Sequence, residues 1–381
     1  MKVLIIGCGI GGPATAMALR EVGIEAEIHE AYARGADGVG SFLNVASNGL
    51  AALSALGAHK KVLESAIPTP RMVMWSGTGK RLGEVANGLR LDDGTVSHTV
   101  LRSDLYRTVR SEAERRGIRI AYGKRLVSYD EGPGGVTARF EDGTQATGDL
   151  LIACDGVHSR TRSILDPQAP APRYSGLYSF GGIVEDAGFT GEPGVYNMVF
   201  GKRAFFGHTV TESGQTWWFA NLPRKLGDVP PDWKPALIQA FEGDAGFSAE
   251  LIRRSEVEPG LPIHDLPPVP VWHRGRVLLT GDAAHATSPS SGQGASMAIE
   301  DAIVLARCLR DGKGHEEAFA SFEAERRPRV ERVVAYSRTI SNSKAAGPVA
   351  RVFRDLMLPI FLRKGASQES LAWMYRYQAS L

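Results

Sequence analysis

Two stretches of this chain set bare backbone beside a helix start, and each is suited to holding an anion. "GCGIGG" at residues 7–12 carries Gly7, Gly9 and Gly12 as G-x-G-x-x-G. "GDAAHATSPSSGQGASMAIEDA" at residues 281–302 carries Gly292 and Gly294 on either side of Gln293. Glycine costs backbone entropy and packs no side chain, so its repeated use there points to a group that must approach the main chain closely. The free amides and the dipole of a helix N-terminus favour negative charge. Glu30 follows about twenty residues after the first glycines, where a carboxylate accepts hydrogen bonds from a ribose. The combination implies a bound dinucleotide with its pyrophosphate on the first helix; on this motif alone FAD and NAD both remain open.

The elements that must position these groups are legible as a βαβ unit and its extensions. Val3 to Ile6 is apolar and β-branched, as in a parallel strand covered on both faces. A helix is expected from Ala14 to Val22, ended by Gly23, and "IEAEIHE" then forms a strand ending at Glu30. Arg102 precedes a second helix, "SDLYRTVRSEAERRG", closed by Gly117. A β-meander follows, and its last buried strand, Leu150 to Ala153, runs into "DGVHSRTR", with Asp155-Gly156 as a turn and Ser159 as a helix cap. From 173 to 265, "YSGLYSFGGIVE", "GVYNMVFGKRAFFGHTVTE" and "QTWWFANLP" alternate like strands of a mixed or antiparallel sheet, to which 71–99 adds strands. Tyr178, Phe180, Met198, Phe206, His208, Trp217 and Phe219 cluster in it, and roughly a third are expected to touch a substrate. After 313 the chain reads as long helices with a break at Pro328. The tail "ARVFRDLMLPIF" places Val352, Phe353, Leu356 and Met357 on one face, suited to domain packing or a pocket lid.

Composition narrows the function classes. At 381 residues with 43% hydrophobic content, the chain can bury one large core or two modest ones. Lys and Arg number 44 against 42 Asp and Glu, with no basic stripe, which excludes nucleic acid as an expected partner. Cys8, Cys154 and Cys308 lack metal-ligand spacing, so no metal is expected and a reducing, cytoplasmic setting is. The start "MKVLIIGCGIGG" imitates a lipoprotein signal, but its apolar run is too short for one, and no stretch is long enough to span a membrane.

Three separated motifs, "GCGIGG" with Glu30, "DGVHSRTR", and "GDAAHATSPSSGQGASMAIEDA", together resemble those of the class A, single-component FAD-dependent aromatic hydroxylases, including the tetracycline- and salicylate-type enzymes. The resemblance implies an α/β fold: a Rossmann-like FAD-binding domain of the glutathione-reductase type over 1–70, 100–172 and 266–325, a mixed or antiparallel substrate sheet over 71–99 and 173–265, and C-terminal helices over 326–381. It implies that Asp282 hydrogen-bonds the ribityl chain of FAD and that Gly281 admits it. It further implies that Pro289 to Gly294 runs beside the isoalloxazine ring, with the amides of Gly292 to Gly294 toward its pyrimidine edge. Arg102 matches the arginine that contacts the flavin nucleotide, and Asp155 with Gly156 the pair serving FAD and the nicotinamide donor. His285 matches a structural hydrogen-bonder, and Gly38 and Gly40 follow Arg34 at an unusual spacing.

By the same resemblance, NADPH or NADH reduces FAD, and one oxygen atom of O2 passes through a flavin C4a-hydroperoxide to an electron-rich aromatic or polyketide-like small molecule. A FAD-dependent reductase or dehydrogenase acting on unsaturated or prenyl substrates is the alternative. A second dinucleotide fingerprint is absent, which separates the chain from flavoproteins carrying their own NAD(P)H domain. No arginine stands among the interior-suited strand residues to clamp a small carboxylate, and the aromatic and Met content there suits a larger ring compound. His208 is the strand residue whose ordinary pKa suits proton transfer near neutrality, which makes it the candidate for orienting or deprotonating a substrate hydroxyl. A monomer or homodimer is expected.

Overall fold

The apolar run at the N-terminus forms the strand Lys2–Ile6, near the centre of a six-stranded sheet. In this computed structural model, residues 1–34, 42–185, 188, 191–257, 259–344, 348–365 and 371–381 are described, without side chains at 348–350, 352 and 361–365; Gly38 and Gly40 lie outside the described residues. Lys2–Ile6 pairs in parallel with Leu150–Ala153 on one side and Glu25–His29 on the other. Val277–Leu279 and Arg119–Ala121 extend the sheet, also in parallel, and His273–Arg274 closes one edge antiparallel. The inner strands are almost wholly buried because the helix Gly11–Glu21 covers one face and an antiparallel meander, with Phe140 stacked on His29, covers the other, which is why their sequences are continuous apolar runs. Leu126–Gly132, Gly135–Phe140 and Gln145–Gly148 form the expected meander.

A seven-stranded sheet forms the second layer, in the order Leu261–Asp265, Arg173–Val184, Thr216–Pro223, Phe205–Val210, Val195–Phe200, Arg71–Ser76 and Arg81–Ala86. It is mixed, because Val195–Phe200 runs parallel to Arg71–Ser76 while its other pairings are antiparallel. One face is covered by the helices Trp233–Phe241 and Ser248–Arg254 around Phe206, Trp218, Phe241 and Leu251. Not all of 71–99 joins this sheet: His98–Leu101 pairs instead with Phe42–Val45 and Ala66–Pro68.

Two expectations for the C-terminal region need correction. No break occurs at Pro328, because His315–Lys344 is one helix of 30 residues, so a boundary at 326 falls inside it. An internal proline costs about 3 kcal/mol through a lost hydrogen bond and a ring clash. Here both flanks are pinned: Arg326 bonds Asp301 and Glu300, Arg329 bonds Glu300, and Arg327 bonds the Val269 carbonyl. In the helix Pro348–Gly365, Phe353, Leu356 and Met357 are exposed rather than packed, and the side chain of Val352 is outside the described residues. No helix among the described residues is long and apolar enough to cross a membrane.

Candidate active site

The three glycine-bearing motifs meet at the end of the parallel sheet. A Cβ at Gly7, whose φ is +103°, would lie 2.4 Å from the Cys154 carbonyl oxygen, so the first motif touches the second through bare backbone. A Cβ at Gly12 would lie 2.1 Å from the Gly7 carbonyl oxygen, so that glycine is required by the turn itself. Gly9 differs: its φ is ordinary, and a Cβ there would meet no protein atom within 4 Å. The helix Gly11–Glu21 begins behind it with no side-chain cap. Its first amides are therefore free to bind a ligand. Glu30 is buried, its carboxylate accepting from the amides of Cys8 at 2.7 Å and Tyr32 at 3.0 Å.

The second and third motifs are bolted together. Asp155 accepts from the Ser159 hydroxyl at 2.5 Å and from the Thr161 amide at 3.0 Å and hydroxyl at 2.8 Å, while Ser159 caps the helix Arg160–Leu165. Arg162 of that helix donates to the Ala283 carbonyl at 2.9 Å, and Thr280 donates to the Ala153 carbonyl. The Asp155 carboxylate is thus engaged locally. Beyond Thr280, Gly281 takes φ +55°, with Ala298 of the helix Gly294–Asp311 at 3.4 Å from where its Cβ would be. Asp282 is exposed to the cleft yet deep within the protein. Burial pushes its carboxyl above the ordinary range, opposed by the charges of His285 and Arg102. Arg102 heads the helix Arg102–Arg115, so the structure brings it within electrostatic reach of Asp282.

Pro289–Ser291 forms one 3-10 turn, Gly292 takes the left-handed conformation at φ +64°, and Gly294–Asp311 follows, again without a side-chain cap. Asn44 stands 3.2 Å from where a Gly292 Cβ would be. Two uncapped helix N-termini therefore converge, close enough that a Cβ at Gly11 would lie 3.5 Å from the Ala298 Cβ.

Beneath the second terminus lies a buried ion network of which sequence reasoning gave a role to His285 alone. Asp301 accepts from the Gly281 amide at 2.9 Å, from His285 Nε2 at 2.6 Å and from Arg326 Nε at 2.6 Å. Glu300 accepts from Arg326 at 2.8 Å, from Arg329 at 2.8 and 2.9 Å, and from Asn48 at 2.6 Å. Asn48 also donates to Gln293 at 2.9 Å. Burial alone would raise the Asp301 carboxyl, but the charges of His285 and Arg326 outweigh it and hold it below the ordinary range. A depressed carboxylate pKa gives stability that is present above the unfolded value of about 3.9 and lost as pH falls through the folded one. His285 is thus a structural hydrogen-bonder. The sequence clue was "EDA" on the buried face of the helix that starts at Gly294.

Period-two alternation divides the aromatic strand residues between two faces. Phe206, Trp218, Tyr178, Phe180 and His208 point to the helix-covered side, where His208 packs edge-on against Phe247 at 5.2 Å. Tyr196, Met198, Phe205, Trp217, Phe219 and Asn221 take the other side. Phe42, two residues before Asn44, meets that side at centroid distances of 6.1 Å to Tyr196, 5.9 Å to Trp217 and 6.0 Å to Phe219. These rings form a cage beside the Asn44–Gly292 contact. His208 is not part of it, because an apolar cluster flanks both faces of the strand and the side chain takes the far one. Burial pushes His208 down to about 4, so it is neutral at pH 7. A base with a lowered folded pKa costs stability as pH falls from about 6.5 toward that value, here by up to about 3 kcal/mol. His208→Phe is expected to flatten the acid limb of the stability–pH curve over that window while leaving the pH profile of turnover unchanged. An altered turnover profile would return His208 to the mechanism.

An FAD-binding-domain family model matches residues 1–337. Aurachin C monooxygenase/isomerase of Stigmatella aurantiaca is 33% identical over 88% of each chain, and the FAD-dependent urate hydroxylase of Klebsiella pneumoniae is 32% identical over 89% of each. The structure of Klebsiella pneumoniae HpxO with FAD and uric acid superposes at a TM-score of 0.86, with 28% identity over 98% of this chain and 97% of that one. The residues present fit FAD: two uncapped helix termini, a glycine whose Cβ side meets no protein atom, and an acidic side chain facing the cleft between them. The named relatives are monooxygenases and hydroxylases, which supports oxygenation over the reductase alternative. The chain belongs to the FAD-binding-domain family and is an FAD-dependent monooxygenase.

Proposed function

We propose that this enzyme uses NADPH or NADH and O2 to hydroxylate a planar, electron-rich aromatic or polyketide-like compound held in the cage of Phe42, Tyr196, Trp217 and Phe219. The observation that carries this reading is the cage itself, four aromatic rings gathered beside the Asn44–Gly292 contact. Offset and edge-on rings of this kind offer broad stacking surface to a flat ligand. Relatives named for urate and for 6-hydroxynicotinate act on flat rings, which supports the same substrate shape.

Bound FAD supplies the redox chemistry, in which NAD(P)H is oxidised and one atom of O2 joins the substrate while the other leaves as water. The chain's own residues bind and orient. Glu30 holds the ribose, with its carboxylate fixed by the Cys8 and Tyr32 amides. The terminus at Gly9 to Gly12 receives the pyrophosphate, and Asp282 with Arg102 holds the ribityl chain and its phosphate. The amides from Gly292 to Gly294 stabilise negative charge at the pyrimidine edge. The cage excludes water from the reacting carbon. Asp155 acts as a brace for the Arg162–Ala283 link. A cytoplasmic location is supported by three free cysteines, two of them buried.

The test is a panel of ring compounds scored by stimulated NAD(P)H oxidation, with oxygenated product identified by mass; a panel without oxygenated product would sink the reading. Gly294 gives a second test, because a Cβ there meets only Thr287 Cγ2 at 3.6 Å, an ordinary contact. Gly294→Val is therefore expected to fold and bind FAD, yet slow flavin reduction or uncouple it by about 100-fold, as for loss of one preorganised donor. Stopped-flow reduction and the ratio of product to NAD(P)H check this.

A further inference from the structure

The long helix His315–Lys344 delivers its last side chain into the substrate layer rather than to solvent. Lys344 Nζ lies 4.4 Å from the Phe205 ring centroid and 5.7 Å from that of Phe219. It donates to Asn221 Oδ1 at 3.2 Å, and Asn221 is buried on the same sheet face as Trp217 and Phe219. The cage therefore has an amine at one end.

An ammonium carries three donors, and here a neutral amide takes one of them. Lys344 is in no ion pair among the described residues. On the following helix Arg354 and Asp355 close on each other at 2.8 Å, with the guanidinium 4.6 Å above the Phe200 ring. Removing a cation from water without an anion is costly, and a ligand anion would offset that cost. The two rings beneath the amine favour a cation and a flat ligand alike.

We propose that Lys344 is a substrate-binding residue that pairs with an ionised ring oxygen, a phenolate or enolate, on the flat compound stacked in the cage. This rests on the aromatic-hydroxylase reading above. Burial pushes the Lys344 amine down to about 7, so both forms are present near neutrality. A neutral amine takes the proton of a ring hydroxyl, and the products are one ammonium and one ring oxyanion in contact. The lone pair left on oxygen enriches the ring carbons beside and opposite it, which are the positions that accept oxygen.

The experiment uses the full-length, FAD-loaded protein titrated with fused-ring phenols and their methyl ethers, 2-naphthol against 2-methoxynaphthalene first, followed by absorbance. Wild type is expected to bind the phenol about 10-fold more tightly than the ether and to display the red-shifted spectrum of the naphtholate. In Lys344→Met that preference disappears, the bound phenol stays neutral, and ether binding is unchanged. Lys344→Arg keeps the preference, which there goes on rising above about pH 7, whereas the wild-type preference rises with pH only up to about 7 and then levels off. Phenols bound in neutral form, a preference retained in Lys344→Met, or no binding by either member of every pair would each overturn the proposal. Oxygenation of the panel alongside an unchanged Lys344→Met would sink Lys344 and leave the hydroxylase reading standing. Oxyanion binding lost in Lys344→Met without any oxygenated product would do the reverse.

Discussion

Gly9→Val is expected to purify as a folded but colourless protein, whereas Gly12→Val is expected to fail in folding. The two substitutions look alike in the motif and differ in what a Cβ meets. At Gly12 it would overlap the Gly7 carbonyl oxygen at 2.1 Å, a clash of Cβ on main chain that no rotamer relieves. At Gly9 the backbone φ is ordinary and no protein atom lies within 4 Å, so the branched side chain projects into the space in front of the first helix. Excluding a pyrophosphate from those amides removes several charge-assisted hydrogen bonds, and the affinity for FAD is expected to fall at least about 100-fold. Circular dichroism, thermal melting and the 450 nm flavin band distinguish the outcomes. A yellow Gly9→Val protein with full FAD would refute the placement of the cofactor.

Arg326→Met is expected to destabilise the protein by about 3–5 kcal/mol, the usual result of leaving a buried charge unpartnered. The guanidinium is inaccessible to solvent and joins Asp301 at 2.6 Å and Glu300 at 2.8 Å. Without it, two buried carboxylates share His285, Arg329 and Asn48. In a chain of this size the melting temperature is expected to drop by roughly 4–6 °C. Adding Asp301→Asn and Glu300→Gln to Arg326→Met should recover part of the loss, because the uncompensated charges go with the arginine. Breaking the exposed Arg310–Asp311 pair serves as the control and should cost close to nothing. If Arg326→Met melted like the parent, the network would carry no stability and its role would lie elsewhere.

The parts that were legible in the sequence are those dictated by local backbone chemistry. Glycine spacing, the acid after the second strand and the buried parallel strands follow from what a main chain can do over a few residues. The faces of the second sheet do not. Trp217 and Trp218 are neighbours of the same type, and one joins the cage while the other donates to Ser255 at 3.0 Å under the helices. Both faces of the strand Phe205–Val210 are buried, so alternation marks no inside or outside, and only the packing of distant helices decides where His208 points. Phe42 and Lys344 enter the cage from residues far apart in the chain, and nothing in their local sequence signals it. Pro328 misled for a similar reason: propensity marks a break, and ion pairs to remote carboxylates override it.

The unbroken helix through Pro328 has a mechanical consequence. Arg326 holds Asp301 on the helix that follows the 289–294 loop, Ser337 and Ser341 bond Ser288 and Ser290 at that loop, and Lys344 reaches the cage. From 326 to 344 is 18 residues, about 27 Å at 1.5 Å per residue. One stiff rod thus carries the reference marks for both halves of the reaction. Whatever tilts it, whether a cofactor settling at one end or a ring ion-paired at the other, is felt along its whole length, so alignment of the two partners is a property of a single lever rather than of two domains meeting by chance.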